Sequence, residues 1–278
     1  MKDSRPDAAH ARHVLGVASA LLTAIALLVP LREAYAVSVV DEKGFSMHVS
    51  GWSSIDSAYV FKGRTCHDGP VWNPSVTIAD FAIGDWRLPA YVGYWGMFSL
   101  SRSDKFPDEK PGRWIEADPY AGVDFAKVFG WEDLVAVKTW WLRWHFPATG
   151  RRSTDMCALD VTLKKIPLHP TTSWRYRFHG ASEGRVEIKL GIGDEYVFFE
   201  DWRLFGGLNL WYIDYRNENA DRRSGPSCGD LSAGLGWKCL YFKTTYWFQL
   251  DRDVLKKGSS PYDYDESLVY SVGVRFAF

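Results

Sequence analysis

Cysteine is scarce in this sequence: Cys66, Cys157, Cys228 and Cys239 are the four in 278 residues. They are too few and too scattered for a disulfide scaffold, and none stands at the close spacing of a metal knuckle. Cys66 and Cys228 fall in expected loops, where a bridge between them stays open. Cys157 and Cys239 fall in expected strands, and isolated thiols are the simpler reading of all four. An excess of either charge is also lacking, with 33 Lys and Arg against 34 Asp and Glu. That argues against a basic stripe for nucleic acid and against an acidic disordered tail. Beyond residue 36 no apolar run approaches the roughly twenty residues that a membrane-crossing helix requires. No glycine-rich phosphate loop and no metal-ligand spacing is present, so neither a cofactor nor a metal is expected.

What the amino terminus does contain is Lys2, Arg5 and Arg12, then an apolar run from Val14 to Val29, then Pro30 and Ala34-Tyr35-Ala36. This is the layout of a secretory signal peptide cleaved after Ala36. It divides the chain into a signal over residues 1–36 and a single all-β domain over residues 37–278. An exported chain without a spanning helix enters a membrane only as a closed barrel, because lipid leaves no water to satisfy an open sheet edge.

Aromatic residues make up 16% of the chain, with 14 Trp and 14 Tyr, more than a soluble core requires. Both side chains favour membrane–water interfaces, and membrane barrels carry them as two belts. From Ser46 onward, segments of ten to fifteen residues alternate in polarity, as strands with one greasy and one wet face do. Val186, Ile188, Leu190 and Ile192 oppose Arg185, Glu187, Lys189, Gly191 and Gly193. Trp174, Tyr176 and Phe178 oppose Arg175, Arg177 and His179. Ile115, Ala117, Ala121 and Val123 oppose Glu116, Asp118, Tyr120, Gly122 and Asp124. Charged faces of this kind suit a wet lumen better than the interior of a soluble sandwich.

Connection lengths alternate as well. Short ones are expected near Ile83 to Asp85, Lys165 to His169 and Trp237 to Lys238. Longer polar ones are expected at Lys62 to Asn73, Ser101 to Gly112, Pro147 to Asp155, Arg216 to Gly229 and Arg252 to Asp265. The reading is an all-β, closed, antiparallel transmembrane β-barrel of about 12 strands. Three residues fit it poorly. Lys138 falls on the otherwise apolar face of Leu134, Ala136, Trp140, Leu142, Trp144 and Phe146, and Pro89 and Pro119 sit inside expected strands, where proline removes a ladder donor.

Tyr270, Val272, Val274, Phe276 and Phe278 alternate at the carboxy terminus. They resemble the closing strand of bacterial outer-membrane β-barrels, which the barrel insertion machinery reads as an assembly signal. Ser57-Ala58-Tyr59-Val60-Phe61-Lys62-Gly63, followed by Asp68-Gly69-Pro70 and Asn73-Pro74-Ser75, resembles the first hairpin of a group of bacterial outer-membrane proteins. In those proteins an Arg stands where this chain has Lys62 and a Gln where it has Asn73. The resemblance implies a porin-like protein of the outer membrane of a diderm bacterium. Its partners are then outer-membrane lipid, the insertion machinery and small solutes, with no nucleic acid.

Arg143, Arg175, Arg177, Arg185, Lys189, Glu116, Asp118 and Asp124 are the candidate pore-lining residues, because charged rings select among small solutes in pores. The function expected is passive diffusion of small hydrophilic solutes. The alternatives are a non-conducting structural or surface-interaction barrel, and a hydrolase whose rim site would use His145, Asp155, His179 and Glu183, a His beside carboxylates being able to act as a general base. No serine or acid pair matches the motifs of barrel hydrolases, so the chain is read as not an enzyme.

Overall fold

The computed structural model describes residues 44–103, 110–147, 151–217, 223–255 and 267–277. The expected signal peptide and Phe278 lie outside the described residues. Fourteen strands follow in chain order: β1 (Phe45–Asp56), β2 (Tyr59–Phe61), β3 (Arg64–His67), β4 (Val71–Ile83), β5 (Trp86–Ser99), β6 (Trp114–Asp124), β7 (Val135–Phe146), β8 (Arg151–Leu163), β9 (Thr171–Gly180), β10 (Val186–Phe199), β11 (Trp202–Asp214), β12 (Gly225–Trp237), β13 (Leu240–Gln249) and β14 (Ser267–Ala277). All except β2 and β3 pair antiparallel with their sequence neighbours, and β1 pairs with both β4 and β14, so twelve strands form one closed barrel. The closing ladder runs from Ser50 opposite Ala277 to Asp56 opposite Ser271.

The two ends differ. At the turn end β4 passes to β5, β10 to β11 and β12 to β13 through two residues each, with Gly84 and Lys238 at positive φ as tight hairpin turns require. The same end carries a short helix, Phe125–Phe129, between β6 and β7. The longer connections gather at the opposite, loop end, and two of them are shorter than the sequence suggests, because β8 begins at Arg151 and β12 at Gly225.

Side chains alternate across the wall as a period of two demands. Along β10, Leu190 is 57% exposed outside while Glu187 is fully buried inside. The outer wall carries large apolar side chains along its height, Leu190, Trp141 and Tyr176 among them, and aromatic rings pack against one another at both ends. Trp72, Phe98 and Trp114 stack with centroids 5.0 Å apart at the loop end. Trp202 lies 6.3 Å from Trp237 and Phe129 5.0 Å from Trp131 at the turn end. Several large rings lie over a glycine on the neighbouring strand. A Cβ on Gly122 would meet Thr139 O at 2.3 Å and the Tyr91 ring at 2.5 Å, and one on Gly93 would meet the Tyr120 ring at 2.2 Å. Each glycine makes room for a ring that covers its bare backbone.

Three expectations about local structure require correction. The apolar-looking face of β7 points inward: Lys138, Trp140, Leu142 and Trp144 line the lumen, so Lys138 is no misfit. Arg143, expected to line the pore, lies on the outward face, half exposed and bonded through Nε and Nη2 to Asp155 at 2.9 Å each. Alternation places Ile115 outside, but the β5–β6 register slips between Met97 and Phe98. That bulge turns Ile115 inward to pack with Val71 and Met97. Pro119 marks the point where β6 and β7 part. Their ladder stops at Tyr120 opposite Leu142, and beyond it the Asp118 carboxylate accepts the His145 N–H at 3.3 Å.

Candidate functional site: a hairpin folded into the lumen

The connection after β1 holds the largest departure from expectation. The sequence of Lys62 to Asn73 suggests an outer loop, yet β2 and β3 form a small hairpin that packs inside the barrel. Its turn is Lys62-Gly63, both at positive φ, a two-residue turn whose twist matches the flanking strands. Only glycine adopts this backbone without strain, and the neighbouring Lys62 accepts it at a cost offset by the contacts of its side chain.

Those contacts span the lumen. On one wall Tyr59 donates to Glu116 of β6 at 2.8 Å, and Phe61 meets Trp144 of β7 edge-on at 5.6 Å. Burial, and then the neighbouring Glu116 carboxylate, hold the Tyr59 phenol well above its ordinary range, which keeps it a donor. On the opposite wall the Lys62 ammonium is bonded to Glu187 of β10. Glu187 also accepts from Arg177 of β9 at 2.5 Å and lies 4.0 Å from Arg185. Arg64 donates to the Tyr215 hydroxyl at 3.5 Å, and Thr65 lies 3.2 Å from Ser267 of β14.

Three cations around one carboxylate would repel each other in a dry interior, and the aromatic rings moderate this. Lys62 lies over Phe61, Trp211 and Trp144 at 4.5, 5.0 and 5.4 Å. Arg177 lies 4.2 Å over Trp144, and Arg185 5.0 Å over Tyr215. A ring face is negative and accepts a desolvated cation. This is why tryptophan occurs on the inner wall as well as the outer one.

Beneath the hairpin, toward the turn end, lies a cavity of about 750 Å³. It reaches from the Phe125–Phe129 helix, where Lys127 binds Asp80 at 2.6 Å, to Tyr59, Phe61 and Trp144. Of the expected pore residues, Glu116, Asp118, Asp124 and Arg175 line this cavity. Arg177 and Arg185 are buried against Glu187 instead. Lys189 sits beside Trp211 at 5.8 Å, and Arg143 is outside. At the loop end the helix Arg252–Leu255 adds a second cover by packing Val254 against Trp211, Ile213, Tyr215 and Cys228.

The rim residues do not converge. Asp155 is engaged by Arg143, His145 Nδ1 lies 3.0 Å from Ser153 Oγ, and His179 and Glu183 are exposed. Cys66, in β3, and Cys228, in β12, lie in strands and form no disulfide with each other. Among the described residues no cluster of His, Cys, Asp and Glu is placed to hold a metal.

Sequence reasoning missed Lys62, Glu187, Trp144 and Tyr59 as the centre of the site. The one available signal was the polar, hydrogen-bonding face of Glu187 and Lys189, since a buried carboxylate demands a cation from somewhere.

No protein-family model matches the chain, and no curated protein is significantly similar to it. Solved structures with similar architecture include the outer membrane channel DcaP of Acinetobacter baumannii, at a TM-score of 0.40 and 9% identity over 87% of this chain and 100% of that one. The beta domain of the Bordetella autotransporter BrkA aligns at 0.33 and 10% identity over 83% and 98%. The translocator domain of the autotransporter NalP from Neisseria meningitidis aligns at 0.35 and 13% identity over 97% and 98%. The fold is a closed, antiparallel β-barrel of twelve strands, with large apolar side chains exposed outside and polar and charged groups buried within.

Proposed function

We propose that the chain resides in a bacterial outer membrane and passes small hydrophilic solutes through its lumen, with the β2–β3 hairpin as the constriction. The outer wall supports the location: it is covered by large exposed apolar side chains, with aromatic rings packed against one another at both ends, as a lipid-facing surface with aromatic residues at two interfaces is. The observation that carries the passage is the charged cavity beneath the hairpin. A wall evolved only to be filled would carry close-packed apolar groups there. The hairpin is tied to the walls by polar and ionic contacts, which exchange with water more readily than a greasy plug.

Planar-bilayer recordings test this. Wild-type protein should give small current steps, and a version in which residues 58–68 are replaced by a short Gly-Ser turn should give larger ones. Silence from both proteins, alongside a conducting control porin, would replace the channel with a purely structural or surface-interaction barrel.

A further inference from the structure

We infer that an anionic phospholipid binds to the outer wall along β9, with an acyl chain in a groove there and its phosphate at Lys164 and Lys165. The strand registers set the shape of the groove. Val161, Thr172, Leu190 and Leu210 stand opposite one another on β8, β9, β10 and β11, and Thr172 is the short side chain between larger ones. Toward the loop end, Trp174 takes the next outward place on β9, between Leu159 and Ile188, so its indole stands at that end of the groove. Toward the turn end, Leu163 and Ile192 form the two banks and Pro170 the floor. The hollow measures about 440 Å³ and is lined almost wholly by apolar atoms. It runs along the strand direction, as a chain lying against the wall would.

The mouth of the groove is the β8–β9 turn, where the Leu163 N–H donates to the Pro170 carbonyl at 2.9 Å. This turn carries Lys164, Lys165 and His169 beside Ile166 and Leu168, which are 47% and 50% exposed. The Leu168 carbonyl accepts the Gly193 N–H at 2.8 Å, which holds the turn against β10. Lys164 donates to the backbone carbonyl of Glu132 at 2.6 Å, and neither lysine forms an ion pair with a described residue. The Asp194 carboxylate lies 3.5 Å from His169 Nδ1, so the uncompensated charge of the turn is that of the two lysines. Basic groups beside an apolar membrane surface attract anionic headgroups, and exposed Ile166 and Leu168 anchor such a turn at the headgroup level. The groove takes the hydrocarbon and the lysines take the phosphate. A zwitterionic lipid would bring its own cation to the same place and lose that preference.

The test uses the full chain purified in detergent and native mass spectrometry with dioleoylphosphatidylglycerol or dioleoylphosphatidylcholine added at equal concentration. Phosphatidylglycerol should be retained at least about fivefold more than phosphatidylcholine. Thr172→Leu, which fills the groove and keeps the wall apolar, should lower that retention about tenfold. The double substitution Lys164→Gln/Lys165→Gln should abolish the preference between the two lipids. Equal retention of both lipids by the wild type, unchanged retention in Thr172→Leu, or an unchanged preference without the lysines overturns the site. A dimer that forms without lipid and is broken by Thr172→Leu overturns it too, and assigns the groove to a second copy of the chain. If Thr172→Leu does not assemble, Thr172→Ile takes its place. The inference rests on the outer wall facing lipid, and insertion into phosphatidylcholine vesicles, read by protease protection, checks that separately. A barrel that does not insert ends both readings, and an inserted barrel that retains the two lipids alike ends this one alone.

Discussion

Lys62 and Glu187 stand 125 positions apart in the chain and are bonded to each other in the middle of the barrel, both shut off from solvent. The pair fixes the hairpin against β10, but its members are not equivalent. Glu187 is in contact with Lys62, Arg177 and Arg185 together, whereas Lys62 is one of three cations in contact with Glu187. Removing the anion leaves three buried cations without it, and removing the lysine leaves two cations still neutralised in part. Glu187→Gln should therefore lower stability by about 3–5 kcal/mol, and Lys62→Met by distinctly less. Thermal unfolding in detergent, read by heat-modifiable gel migration, gives the ranking. A larger loss from Lys62→Met would contradict it.

The inward orientation of β7 separates two neighbouring positions. In a background lacking the native cysteines, Lys138→Cys should react with a water-soluble maleimide in liposome-embedded protein. Thr139→Cys, on the outward face between Val123 and Leu159, should be shielded by lipid. Mass spectrometry of labelled protein checks both, and the opposite pattern would turn the strand over.

Trp144 supports Phe61, Lys62 and Arg177 at once. Trp144→Ala should cost about 3–5 kcal/mol, as large-to-small changes at buried aromatic sites do. It should also raise single-channel conductance by loosening the hairpin. A stability loss without any change in current would assign the tryptophan to packing alone.

Gly122 accommodates the Tyr91 ring, and a Cβ there would also lie 2.3 Å from the carbonyl oxygen of Thr139. Since backbone rather than a flexible side chain is in the way, Gly122→Val should destabilise the β6–β7 contact by about 1–3 kcal/mol. Urea unfolding of the refolded protein measures it. This ladder is the shortest in the barrel wall, five residue pairs, so it has little capacity to absorb the strain.

The rim offers a Ser–His contact, with His145 Nδ1 3.0 Å from Ser153 Oγ. Among the described residues nothing bonds His145 Nε2, and Asp155 is held by Arg143, so the imidazole lacks the orienting carboxylate that activates a serine. Purified protein should not hydrolyse phospholipid or p-nitrophenyl esters in mixed micelles. Turnover that disappears in Ser153→Ala would reverse the reading of the chain as a non-enzyme.

How much of this was legible depended on where each side chain finds its partner. β10 and β14 read directly, because Leu190 meets the outside and Glu187 or Ser271 the inside, and alternation records that difference. β7 read backwards. Trp140 and Trp144 are inner residues, stacked against Arg175 and Arg177, and the rule that apolar residues face lipid has no term for a ring packed on a guanidinium. The slip that turns Ile115 inward is a one-residue bulge, invisible to a strict period of two. The hairpin escaped notice for a different reason. Its polar sequence suits an outer loop equally well, and what draws it inward is a set of partners on distant strands.

Those partners are also widely separated along the chain. Tyr59 finds Glu116 at a separation of 57 residues, Lys62 finds Glu187 at 125, and Thr65 finds Ser267 at 202. The hairpin therefore has its full set of contacts only once β6, β10 and β14 are all in place. Such long-range pairing is slow, and here it makes the hairpin a form around which the wall is wrapped. A barrel that closed one strand short, or in a shifted register, would leave that form without its final contacts. The same segment that narrows the finished lumen thus distinguishes a complete wall from an incomplete one.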